Sequence, residues 1–215
     1  MTNMTKSTTT TAHLSSEQQT VIRAAVGKAE SHTSGEIVPL LVAQSDDYRE
    51  AAAQAAAIIA AALALALALI IHDTSVWFFL PTAFVLYFPT LAAVRRLPLL
   101  KLAFTPAARV SEAVRHQAMR VFYEKGLHRT RDGNGILIFI SLLERKVWIL
   151  GDRGINDVIP PERWVALASA LSSGIRQGQM TEALVGVIAE MGDVLRQHFP
   201  SRHDDVNELP DLMGE

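Results

Sequence analysis

The sequence predicts a small α/β domain with a mixed sheet, interrupted by a two-helix transmembrane hairpin. Two observations carry this. Short runs rich in Ile, Val and Leu at 36–43, 135–142 and 146–150 have the length and composition of strands, and helical patterns surround them. Between the first two strands lie 44 residues, Ala51 to Val94, whose one charged residue is Asp73. The 215-residue chain is 49% hydrophobic with a formal net charge of −2, which excludes disorder along its whole length. The missing basic excess argues against nucleic acid as a partner. With no Cys, disulfides and Cys-based zinc or redox sites are excluded.

In chain order, residues 1–13 are polar and Thr-rich, a disordered tail with no signal-peptide h-region. Ser16-Glu17-Gln18-Gln19 has the pattern of a capping box, and Val21, Ile22, Ala25 and Val26 give the following helix an apolar face ending near His32. Thr33-Ser34-Gly35 is a turn. The strand 36–43 contains Pro39, which cannot donate to a ladder, so it has an open edge or a bulge there.

Ala51–Ile71 and Val76–Val94 are two apolar runs joined by His72-Asp73-Thr74-Ser75. As helices they span about 31 and 28 Å, close to the hydrocarbon thickness of a bilayer. Neither shows an amphipathic stripe; both are apolar all round, and the remaining chain is too small to wrap two such helices as a buried hairpin. Trp77 stands where an interfacial anchor belongs. Arg49 precedes the first run and Arg95, Arg96 and Lys101 follow the second, while the connecting loop has no Lys or Arg. The positive-inside rule then places both termini in the cytosol, in a two-span protein of the inner membrane.

After the hairpin, Thr105 and Pro106 have the types expected at N-cap and first position of a helix running through Val110, Val114, Met119, Val121 and Phe122 to Gly126. The strand 135–142 turns at Leu143-Glu144-Arg145 into the strand 146–150. Pro160-Pro161 opens a helix with Trp164, Leu167, Leu171 and Ile175 on one face, and Thr181 caps a last helix carrying Leu184, Val187, Ile188, Met191 and Leu195. Strands from both sides of the hairpin share one sheet, since a lone strand at 36–43 has no other partner. The boundaries are therefore 1–13 tail, 14–50 first part of the domain, 51–94 hairpin, 95–199 remainder of the domain, and 200–215 polar tail.

Asp132-Gly133-Asn134-Gly135 alternates side-chain oxygens at the entry to a strand, as a hard-cation site does; the same residues also suit a glycine turn. Asp152 and Asp157 could converge with Asp132 and Asn134 at the sheet's end to hold Ca²⁺ or Mg²⁺ and, through it, phosphate. Gly151 to Gly154 with Arg153 suits an anion nest or a tight turn. Arg109, Arg115, Arg120, Arg129 and Arg131 suit a solvated helix face or contact with anionic lipid. The His residues lack HExxH spacing; His198 and His203 lie near the last helix end. No Gly-x-Ser-x-Gly elbow or Walker sequence occurs, and Ile138 stands where a dinucleotide loop needs its third glycine.

Asn134-Gly135-Ile136-Leu137-Ile138, a charged turn, then Arg145-Lys146-Val147-Trp148-Ile149-Leu150-Gly151 together resemble the TPM domain family. Ser34-Gly35-Glu36-Ile37-Val38 is similar to its first strand, Asp193 to Pro200 to the end of its last helix, and Asn207-Glu208-Leu209-Pro210-Asp211 to the tail of a bacterial membrane-bound subgroup. The resemblance implies a three-layer α/β/α domain. It also brings the family's reported properties: calcium binding, acid phosphatase activity and, in plant thylakoids, photosystem repair. Gly151-Asp152-Arg153-Gly154-Ile155-Asn156 departs from the family's common Gly-x-Gly-Leu-Glu.

The leading expectation is a non-enzymatic TPM-like module that is anchored in the inner membrane and binds a protein partner or an ion at the bilayer. The alternative is a Ca²⁺- or Mg²⁺-dependent enzyme like an acid phosphatase, using Asp132, Asp152 and Asp157.

Overall fold

The computed structural model describes residues 14–201. Residues 1–13 and the segment after Ser201, with His203 and the Asn207–Asp211 motif, lie outside the described residues. The described chain divides into two compact units, one formed by residues 14–45 and 113–201, the other by 46–112.

In the first unit, α1 (Ser16–Glu30) starts with a capping box one residue earlier than the sequence suggests. The Ser15 hydroxyl accepts from the Gln18 N–H at 3.2 Å, and the Gln18 side chain accepts from the Ser15 N–H at 3.1 Å. Three strands follow, β1 (Glu36–Val42), β2 (Gly135–Ser141) and β3 (Lys146–Gly151), in the spatial order β1-β2-β3. β1 pairs parallel with β2 in the register Glu36↔Gly135, and β2 pairs antiparallel with β3. The sheet is thus mixed and joins strands from both sides of the apolar insertion. Pro39 lies on an edge strand, where a missing donor is tolerated.

Alternating side chains divide the sheet's two faces. Ile37, Leu41, Ile136, Ile138 and Ile140 pack on one face with Ile22 and Val26 of α1 and with two later helices, α7 (Pro161–Arg176) and α8 (Met180–His198). Val38, Leu40, Val42, Leu137 and Phe139 pack on the other with Val114, Ala118, Val121 and Phe122 of α5 (Ala107–Glu124). All seven residues of β1 and of β2 are buried, as a sheet covered on both faces requires. The arrangement is three-layered.

Several local expectations need correction. Thr105 does not cap α5; its hydroxyl donates back to the Lys101 carbonyl at 2.8 Å. Thr181 does not cap α8, whose N-cap is Gln179; the Thr181 hydroxyl is buried with no hydrogen-bond partner. Gly126 does end α5, at φ +76°, and a 3₁₀ turn follows at Leu127–Arg129. Two short helices escaped the sequence pattern, α4 (Pro98–Ala103) and the single turn α6 (Arg153–Asn156). Both are too short for a periodic signal.

In the second unit, α2 (Arg49–Ile71) and α3 (Val76–Arg95) form an antiparallel hairpin. The sequence shows no hydropathic stripe on α2, yet the structure has one of size. Ala52, Ala56, Ala60, Ala64 and Ala68, spaced by four, are each at most 1% exposed. Leu63, Leu65, Leu67 and Leu69 point outward. Small residues at that spacing let helix backbones approach closely. Ala52, Ala55 and Ala56 meet Val94, Leu91 and Tyr87 of α3, with Leu100 and Phe104 closing that end. In α3, Pro81 and Pro89 are each followed by a threonine whose hydroxyl donates to a carbonyl one turn back, Thr82 to Phe78 and Thr90 to Leu86, both at 2.7 Å.

Candidate functional site

The loop 132–134 leads into β2, and residues 152–154, which open α6, follow β3, its neighbour. Antiparallel pairing brings the two loops together. The Asp152 N–H donates to the Gly135 carbonyl at 2.9 Å and the Ile155 N–H to the Gly133 carbonyl at 3.3 Å. The approach requires glycine. A Cβ on Gly154 would stand 2.5 Å from the Asp132 carbonyl oxygen and 2.9 Å from that of Gly133. Gly133 itself has φ +63°.

The expected ligands are used as follows. Asp152 is the N-cap of α6, its carboxylate accepting from the Arg153 N–H at 2.7 Å. Asp157 is the C-cap at the opposite end of that turn and is exposed. Asn134 is buried, and its amide donates to the Ser34 carbonyl at 2.7 Å and to the Ser34 hydroxyl at 3.1 Å, tying β2 to the turn before β1. Asp132 is half-buried beside Gly154. Among the described residues, no group of three or more His, Asp or Glu is placed to hold a metal ion. Asp132 and Asp152 therefore belong to one loop pair, while Asn134 and Asp157 have structural partners or positions of their own.

The location differs from the expectation as well. Ligands of α/β sheets gather at the carboxyl ends of parallel strands, but these loops lie at the amino ends of β1 and β2. The carboxyl ends carry a different polar cluster, which sequence reasoning missed. Ser141 and Glu144, both buried, hydrogen-bond to each other. Ser45 donates its N–H to the Glu144 carboxylate and shares a hydroxyl hydrogen bond with Ser141, each at 2.9 Å. The only hint in the sequence is one carboxylate in an otherwise ordinary turn.

The anion-nest segment is covered by Trp164, whose ring would meet a Cβ on Gly151 at 2.9 Å; its indole N–H is buried without a partner. Arg153 is exposed.

In the second unit, Trp77 is 89% exposed near the start of α3, and Arg95 and Arg96 are exposed at its end. Lys101, counted among the flanking cations, is buried, and its ammonium donates to the Asp47 carbonyl at 3.1 Å. Arg109 pairs with Asp46 at 2.8 Å.

Residues 105–194 match the TPM domain family, covering α5, β2, β3 and α6 and nearly all of the last two helices. Over those residues the chain is similar to a TPM domain. The chain is also similar in fold to a solved structure, titled "NMR structure of BA42 protein from the psychrophilic bacteria Bizionia argentinensis sp. nov.", at a TM-score of 0.58 and 24% identity. That match covers 93% of each chain. No curated protein matches the chain. The TPM match begins after the apolar hairpin, so α1, β1 and the hairpin lie outside it.

Proposed function

We propose that this protein is an integral membrane protein whose α2–α3 hairpin anchors the TPM domain at the cytosolic face of the inner membrane. One observation carries the reading. α3 is 20 residues long and apolar, and none of its most apolar 18-residue window is buried. Trp77, Phe84, Val85 and Phe88 of α3, with Leu69 and Ile70 of α2, stand outward as a surface that water would penalise and lipid would not. The alanine stripe supports it too, because it pairs the two helices through backbone proximity, which works in lipid.

Charge supports the orientation. Arg49, Arg95 and Arg96 cluster at the end that continues into the rest of the chain, and the loop at the other end has only Asp73. Hydrogen bonds from the Ser75 N–H and hydroxyl hold the Asp73 carboxyl below its ordinary range.

Alkaline carbonate applied to membranes tests the anchor. The protein should stay in the pellet and leave only with detergent; release into the carbonate supernatant overturns the reading. The cysteine-free chain also allows topology mapping. A membrane-impermeant maleimide should label Thr74→Cys from outside intact spheroplasts and Arg163→Cys only after lysis.

Ion binding is a second reading, favoured by the Asp132 and Gly133 carbonyls that meet at Gly154 and by the Asp152 carboxylate beside Gly133. Calorimetric titration of Ca²⁺ and Mg²⁺ into the detergent-purified chain tests it, beside a phosphatase assay. Heat without turnover supports a binding module, turnover abolished by Asp132→Ala supports the enzyme, and silence in both ends this reading.

A further inference from the structure

α1 and α8 lie side by side in the same sense, close enough that a Cβ on Gly192 would stand 2.7 Å from the Ala29 Cβ. Their outer sides leave a groove of about 450 Å³ with an apolar floor that includes Ala25, Ala29 and Ala189. Lys28, His32 and Arg196 stand around it, Arg196 paired at 3.1 Å with the single carboxylate there, Asp193. This basic end of the groove is also where the described chain ends. The Thr33 hydroxyl donates to the Phe199 carbonyl at 2.5 Å, and Pro200 forms a bridge with Thr33. The Ser201 N–H donates to the His32 carbonyl at 3.4 Å. The chain is thus delivered to the groove's mouth.

Beyond Ser201, residues 202–215 contain five carboxylates, Asp204, Asp205, Glu208, Asp211 and Glu215, against Arg202 and His203. Val206, Leu209, Leu212 and Met213 are interspersed among them. At about 3.4 Å per extended residue, 14 residues reach on the order of 45 Å. The groove from His32 back to Ala24 needs only about 12 Å.

We propose that the α1–α8 groove is the docking site of this chain's own segment Asp204–Glu215. Its carboxylates face Lys28, His32 and Arg196, and its apolar side chains cover the alanine floor. The groove is then an acceptor for acidic, apolar-spaced peptide segments, occupied in cis by the tail. Any other such segment must displace it.

Cross-linking of the full chain in detergent tests this. Ala24→Cys with Leu209→Cys, treated with a short bis-maleimide, should give an intramolecular product faster than Arg163→Cys with Leu209→Cys. Adding Lys28→Glu and Arg196→Glu puts two carboxylates in place of cations at the groove and should slow the product by roughly tenfold. Raising the salt on the unaltered groove should slow it in the same direction, which guards against misfolding of the charge variant. A synthetic peptide of residues 203–215 should compete. Equal rates for the two cysteine pairs, indifference to salt, or a product running as a dimer would each overturn docking of the tail in cis.

Discussion

The Ser45 N–H donates to the Glu144 carboxylate over 2.9 Å, joining the end of the first strand segment to a turn 99 residues later. Glu144 also accepts from the Ser141 hydroxyl, so one buried side chain satisfies donors on both sides of the insertion. Removing it strands those donors at roughly 1–3 kcal/mol each. Glu144→Ala should therefore lower the melting temperature in detergent clearly more than Glu162→Ala, an exposed acid elsewhere in the same unit. Equal shifts would show that the cluster adds nothing.

The alanine stripe predicts an asymmetry between neighbouring positions of α2. Ala64→Leu forces bulk between two helices and should cost about 1–3 kcal/mol. Leu65→Ala removes an outward side chain and should be nearly neutral for hairpin stability. Thermal unfolding of both variants in the same detergent decides it.

Gly154→Ala should destabilise the loop pair by about 1–3 kcal/mol, because the new Cβ meets two backbone carbonyls that cannot swing aside. Gly186→Ala is the control, since nothing lies within 4 Å of its Cβ position. Denaturant unfolding followed by tryptophan fluorescence reads both, with Trp164 reporting directly on the loop.

Thr181→Val should leave stability unchanged or raise it by up to about 1 kcal/mol, since the buried hydroxyl has no partner to lose. A large destabilisation would mean that the hydroxyl makes a bond the structure does not contain. Circular dichroism melts are sufficient.

What was legible in the sequence was what hydrophobic patterning encodes. The apolar run at 135–142 identified β2 because a strand covered on both faces has no polar positions to break its signal. Pro160-Pro161 and Gly126 marked boundaries because their backbone restrictions are local. Thr105 and Thr181 misled for the complementary reason. The Thr105 hydroxyl turns back to the Lys101 carbonyl and the Thr181 hydroxyl is buried without a partner, outcomes that neighbours in space decide. The facing side of α2 was invisible to hydropathy, since Ala and Leu are both apolar and only volume separates them. At the loop pair, the residue types marked Asp132, Asn134, Asp152 and Asp157 as candidates for one site. They could not show that Asn134 would hold Ser34, because that contact exists only once β1 lies beside β2.

That parallel pairing bears on how the protein is made. β1 is synthesised first, but its neighbour β2 emerges only after the entire α2–α3 hairpin and α5. At translation speeds of about 5–20 residues per second, β1 waits several seconds unpaired, with all seven residues that the finished sheet buries still uncovered. During that interval its open strand edges are free to pair with another chain unless a chaperone covers them. The sheet can close only after the hairpin has left the ribosome.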